Sequence, residues 1–373
     1  MTTEDQQAPE ADHCGRRDTA PGAAAVHGVV RGTAPAPLSI LDLATVGAGH
    51  TPAEALAATT ELARSAEGWG YHRFWVAEHH GMPGVASSTP AVLLAHLGAH
   101  TSTLRLGSGG VMLPNHAPLA VAEQFGLLEA LHPGRIDLGL GRAPGTDPAT
   151  ARALRRGRAE GADDFPQELA ELTHFLDGDF PAGHPYARLT AVPKGEGRPP
   201  IWLLGSSGFS ARLAGRLGLP FAFAHHFSGD NTIPALDLYR AGFRPSEVLA
   251  EPYALIGVSA VAADDATQAR RLARSAGLGM LKLRRGDPGP IPTPDEAEAY
   301  PYSPAEADFL DDWLSKVVLG SPGEVADGLE ALRKRTGADE LMVTSHIHGH
   351  QARHRSYGLI AEAYGLTGGA ARP

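Results

Sequence analysis

A single cysteine, Cys14, stands among the 373 residues, so no disulfide can form within the chain. No run of apolar residues approaches the length of a membrane span. Basic residues are in the minority, 32 Lys and Arg against 42 Asp and Glu, and a formal charge of −10 leaves no electrostatic footprint for a nucleic acid. These absences set aside disulfide scaffolds, membrane proteins and nucleic-acid binders. A cytoplasmic protein acting on a small organic molecule is the expectation that remains. Residues 1–37 lack hydrophobic periodicity and the apolar core of a secretory signal, and they read as a disordered leader; residues 367–373 read as a flexible tail.

What the chain does have is apolar content of 43%, enough for one large core or two smaller ones, and an alternation of apolar runs with amphipathic segments from Leu38 to Leu366. Strands are expected at 38–43, 73–77, 104–107, 135–139, 201–204, 221–224, 253–261 and 340–344. Helices are expected at 52–69, 90–100, 119–131, 163–176, 210–217, 233–243, 266–283, 322–336 and 352–364. Eight strands alternating with helices predict a TIM (β/α)8 barrel, with a doubly wound sheet as the other arrangement of the same pattern. Segments 144–162 and 177–197 are longer and more polar than ordinary connections and read as insertions at the C-terminal mouth. The Pro-rich stretch 284–303 reads as a lid.

Chemistry-bearing residues gather at the expected strand ends. Trp75-Val76-Ala77-Glu78-His79-His80 places a carboxylate and two imidazoles after a buried run, where ionised groups need a pocket, a partner or a ligand. The plainer reading makes Glu78 a loop cap and the two histidines surface residues. Gly109-Gly110 follows the third strand and admits the close approach of a flat ligand, or is a simple turn. Arg142 ends the fourth strand, and Gly205-Ser206-Ser207-Gly208 follows the fifth and opens a helix. A guanidinium beside a helix N-terminus suits a phosphate, although Gly-Ser-Ser-Gly by itself is also an ordinary helix cap. His225 and His226 follow the sixth strand, as substrate contacts or as satisfied polar groups. In Ser345-His346-Ile347-His348-Gly349-His350, alternate spacing puts three imidazoles on one side of an extended segment, which suits a metal. No carboxylate ligands accompany them, and polar lining of a pocket is the preferred reading, with no metal assigned.

The order of these signals, together with Arg73-Phe74-Trp75-Val76-Ala77-Glu78-His79-His80, Val111-Met112-Leu113-Pro114-Asn115-His116-Ala117-Pro118-Leu119, Ala122-Glu123-Gln124-Phe125 and Leu131-His132-Pro133-Gly134-Arg135-Ile136-Asp137-Leu138-Gly139-Leu140-Gly141-Arg142, resembles the bacterial luciferase-like flavin monooxygenases, in their single-chain branch. The resemblance implies a barrel that binds FMN at its C-terminal mouth, takes it reduced from a separate NAD(P)H-dependent flavin reductase, reacts it with molecular oxygen, and pairs into a homodimer through its early helices. By matching position it assigns acid/base work to His79, support of the flavin ring to the Gly109–Gly110 peptide, which is cis in luciferase, and the flavin phosphate to Arg142 and the Gly205–Gly208 loop. Glu78, His80, His225 and His346 are expected in the substrate pocket. The sequence departs from luciferase at Gly141, where luciferase carries a reactive cysteine, so a substrate other than a long-chain aldehyde is inferred. A flavin or deazaflavin hydride transferase, a flavin-storing protein and a metal hydrolase are the competing readings on the same fold.

Overall fold

Apolar strands bounded by helix caps close into a cylinder in the computed structural model, which describes residues 26–143, 145–155, 164–194 and 197–366. The barrel strands are β1 (Leu38–Asp42), β2 (Arg73–Val76), β3 (Arg105–Ser108), β4 (Ile136–Gly141), β5 (Ile201–Gly205), β6 (Phe221–Phe223), β7 (Ala254–Ala262) and β8 (Glu340–Thr344). Each pairs in parallel with the next, and β8 pairs with both β7 and β1, so the sheet has no free edge along the ring. Two short strands add to it. Val111–Met112 pairs with the end of β4, and Val318–Gly320 with the end of β7. The architecture is the expected TIM barrel.

Side chains of the strands divide by their two-residue period into two cores. One set, including Phe74, Leu106, Leu138, Leu203 and Val343, packs outward under the helices. The other, Leu41, Trp75, Trp202, Ala222, Leu255 and Met342, fills the interior, where Trp75 and Trp202 meet edge to face at 5.2 Å. Below them, at the N-terminal ends of the strands, lies a layer of buried ions. Arg73 donates to Glu340 at 2.8 and 3.0 Å and to Asp137 at 2.8 Å, while Arg105 and the Trp75 indole also donate to Asp137. Burial alone raises the Asp137 carboxyl; the two guanidiniums outweigh it and hold the group below its usual range.

This layer is roofed by residues ahead of β1. The Val26 carbonyl accepts from Arg73 at 2.8 Å, Gly28 N–H donates to the Tyr253 hydroxyl, and Val26 is fully buried. Residues 26–37, counted with the leader by composition, are therefore part of the folded barrel; polar contacts to buried ions hold them, which hydrophobic periodicity does not register. Residues 1–25 and 367–373 lie outside the described residues.

Of the expected insertions, 144–162 contributes a helix at Pro148–Leu154 capped by Asp147, with Pro144 and 156–162 outside the described residues. Segment 284–303 is folded along the loop that leaves β1: Ile291 accepts from Ala48 N–H at 2.8 Å and donates to the Val46 carbonyl at 2.9 Å, and Pro294–Ala299 forms a helix. A further helix, Pro304–Ser315, follows it. No described helix is long and apolar enough to cross a membrane.

Candidate active site

A cavity opens at the C-terminal ends of the strands, lined at depth by Leu41, Trp75, Leu255 and Met342 and nearer the rim by Arg142, Ser206, Ser207 and Phe227. The strand period decides which neighbours enter it. After β2, Ala77 and His79 line the cavity, whereas Glu78 and His80 fall on the opposite side. From β8, Met342 within the strand and His346 just past its end line it. The chain then leaves the extended form and enters the helix His350–Ala363, so His348 and His350 gather around His50 instead, with ring centroids 5.1 and 4.5 Å from it. The three imidazoles spaced by two in sequence are thus not brought together. Among the described residues no group of three or more His, Cys, Asp or Glu side chains is placed to hold a metal.

Glu78 serves a different purpose from the expected pocket contact. Its fully buried carboxylate accepts from His80 Nε2 at 2.9 Å, from His116 Nε2 at 2.9 Å and from Met112 N–H at 3.0 Å. Burial raises it, but these donors prevail and hold its proton affinity below the usual value. It ties the loop after β2 to the one after β3. His80 is likewise outside the cavity. His225 is also turned away, its Nδ1 paired with Thr232 Oγ1 at 2.7 Å, while its neighbour His226 lines the cavity.

Three imidazoles do converge on the cavity: His79, His226 and His346. His79 Nδ1 lies 3.1 Å from the Gly145 carbonyl and His226 Nδ1 lies 3.0 Å from the Gly257 carbonyl. A carbonyl oxygen can only accept, so each Nδ1 carries the hydrogen and each Nε2 is left as an acceptor. Burial lowers the proton affinity of all three, to about 4 for His226 and His346. They are uncharged at neutral pH.

Glycines shape the floor. The Gly109–Gly110 peptide is cis. A Cβ on Gly110 would stand 2.8 Å from the Gly139 carbonyl, so only bare backbone fits there, and one on Gly109 would stand 2.6 Å from Leu41 Cδ1 and push that side chain aside. Opposite, the helix Gly208–Leu217 begins at Ser207, whose hydroxyl makes no bond back to the helix. The sequence Gly205-Ser206-Ser207-Gly208 is therefore not a self-satisfied cap; the first N–H groups and both exposed serine hydroxyls are left for another acceptor. Arg142, at the adjoining end of β4, pairs with no carboxylate among the described residues and lies 4.2 Å over the Phe209 ring. Positive charge, N–H donors and hydroxyls thus share one rim.

A sequence profile described as luciferase-like monooxygenase matches residues 37–340. The chain belongs to the luciferase-like monooxygenases. It is 53% identical over 328 residues to the uncharacterized protein YvbT of Bacillus subtilis (strain 168), covering 88% of this chain and 96% of that one. It is 48% identical over 324 residues to a luciferase-like monooxygenase of Escherichia coli (strain K12), covering 87% and 96%. Among solved structures, apo-MsnO8 superposes with a TM-score of 0.81 at 40% identity, over 89% of this chain and 99% of that one. Membership makes the protein a flavin-dependent monooxygenase.

Within this luciferase-like barrel, a Cβ at Gly141 would meet the Met112 sulfur at 2.7 Å and its methyl at 3.0 Å. Met112 thus fills the space that any side chain at 141 would need. Met112, Phe209 and Phe227 were not singled out from the sequence. No periodicity marks Met112 as a lining residue, and Phe227 reads as surface: it is 64% exposed at the cavity rim.

Proposed function

We propose that this luciferase-like enzyme binds reduced FMN in the described cavity and uses it with molecular oxygen to oxidise a small organic substrate. The observation that carries the reading is the rim of Arg142, the unspent Ser206 and Ser207 hydroxyls and the open helix N-terminus, a phosphate-sized set of donors beside a cavity floored by bare glycine backbone. These residues fit the cofactor: Arg142 and residues 205–208 would hold its phosphate, and Gly109 with Leu41 and Trp75 would face its ring. Bound and reduced, the flavin supplies the electrons that activate oxygen.

The protein's own residues then position, shield and move a proton. His79, with Nδ1–H fixed on the Gly145 carbonyl, accepts a proton at Nε2 and returns it, and its lowered affinity keeps it free to accept at neutral pH. Leu41, Leu43, Leu204 and Leu255 keep water from the reacting end. His346 and His226 offer uncharged contacts to the substrate. A separate NAD(P)H-dependent reductase supplies the reduced flavin, and the enzyme pairs with a second copy through its early helices, where Val92, Leu127 and Leu131 are exposed.

Rapid mixing of anaerobic protein and reduced FMN with oxygenated buffer tests this. The protein should slow the return of oxidised-flavin absorbance relative to free reduced FMN. Identical traces with and without protein would overturn the proposal. In His79→Ala the affinity for FMN should be nearly unchanged, while coupled oxidation falls by about a hundredfold and hydrogen peroxide appears in its place. A variant that binds FMN poorly, yet handles the bound flavin normally, would make His79 a cofactor contact instead.

A further inference from the structure

Arg142 brings an unneutralised charge to the cavity rim. At the opposite ends of the strands Arg73 and Arg105 are locked by carboxylates and Arg135 donates to Leu104 and Thr101, whereas among the described residues Arg142 has no anionic partner and makes no hydrogen bond. Its guanidinium carbon lies over the face of Phe209, 4.2 Å from the ring centroid. Phe209 is the second residue of the helix Gly208–Leu217, and so belongs to the same first turn whose N–H groups are left unspent. The strands that carry the two residues are adjacent, with Leu140 opposite Leu203.

From this juxtaposition we infer that Phe209 is a positioning residue for anion recognition: its ring holds the Arg142 guanidinium flat at the mouth of the helix, so that the cation and the backbone donors meet one phosphate together. The inference rests on the phosphate reading of the rim given above. The physics favours an aromatic ring for this work. An arginine side chain has many rotamers, and stacking reduces that freedom without consuming its N–H donors, all of which lie in the guanidinium plane and stay available to phosphate oxygens. A carboxylate in the same place would hold the arginine equally well but would neutralise it and occupy its donor fork. An aliphatic side chain would fill the space without attracting the cation. Placing the ring on the helix itself, two residues past Ser207, makes the spacing between guanidinium and N–H groups a property of one rigid element.

FMN and riboflavin separate this role from a merely structural one, because riboflavin presents the same ring system without the phosphate. Dissociation constants for both, oxidised and anaerobically reduced, are measured on the wild type, Phe209→Leu, Phe209→Tyr, Arg142→Ala and the Phe209→Leu/Arg142→Ala double variant. Phe209→Leu should weaken FMN by about fivefold and leave riboflavin unchanged. Phe209→Tyr, which keeps the ring face, should restore FMN binding, and Phe209→Leu should add nothing once Arg142 is gone. Equal losses for FMN and riboflavin in Phe209→Leu, or no loss for either, would overturn the inference. If Arg142→Ala removes the preference for FMN but Phe209→Leu keeps it, Phe209 alone is misassigned. If Arg142→Ala leaves the preference intact, the phosphate reading itself falls.

Discussion

Glu78 shows how a carboxylate inside a motif with two histidines can act without touching a ligand. It gathers three donors from two loops in a place where water cannot replace it. Glu78→Ala would take from the half-buried His80 and His116 rings and from Met112 N–H the acceptor they share, and the variant should lose about 1–3 kcal/mol in urea unfolding; a loss well under 1 kcal/mol would show that the loops hold without it. Three imidazoles, His72 in the interior and the half-buried His226 and His346 of the cavity wall, carry the largest part of the histidine response to acid. His72, His226 and His346 each have their proton affinity lowered by burial to about 4 from an ordinary value of 6.5. As pH falls, the unfolded chain takes up these protons first, so their contribution is whole above about 6.5 and drains away toward 4. Melting temperature should hold steady from pH 8 to 6.5 and then drop, and His226→Gln/His346→Gln should flatten that drop, leaving the share of His72. The motif Glu78-His79-His80 was legible as a site in sequence, but which of its members faces the cavity was not. That depends on strand phase at β2, where Ala77 and His79 turn inward.

Four helices open on one pattern, Ser or Thr, then proline, any residue and glutamate. Thr51-Pro52-Ala53-Glu54, Thr293-Pro294-Asp295-Glu296, Ser303-Pro304-Ala305-Glu306 and Ser321-Pro322-Gly323-Glu324 all form reciprocal capping boxes, with proline in the first turn. The helices after Thr51 and Ser321 were expected with their observed bounds. Those after Thr293 and Ser303 carry the identical signal, yet their proline density made the stretch look like a loop, and the helix Pro304–Ser315 was not foreseen at all. Proline in a capping box marks a helix start, because its fixed φ suits the first turn and its missing N–H is not needed there. Strands were legible within two residues because each is an apolar run between turn residues, whereas the three-residue Val318–Gly320 is too short to stand out. The exposed Leu127 and Leu131 of the helix Pro118–Leu131 belong to this scale too. If the proposed pairing uses that face, sedimentation should give a dimer at micromolar concentration, and Leu127→Glu/Leu131→Glu should yield monomer. A monomeric wild type would remove the pairing.

For the molecule as a whole, the ionic layer under the barrel is the feature with the largest stake in stability. Arg73→Leu would leave Asp137 and Glu340 without their shared cation, and chemical denaturation should show a loss of about 3–5 kcal/mol; a neutral result would mean that Arg105 and Tyr253 suffice to hold the two carboxylates. The strand–helix rhythm pointed to the TIM barrel with a doubly wound sheet as the other arrangement, but the closure of the lower end was not legible, since it depends on Arg73, Asp137 and Glu340, far apart in the chain, and on residues 26–37, whose composition resembles a tail.

The same closure governs traffic. With tryptophans and ion pairs stacked across the lower end, the described residues leave the upper rim, past Phe227, as the doorway. On the proposed function, flavin and organic substrate queue at one entrance, and whichever is seated deeper has to arrive first and depart last.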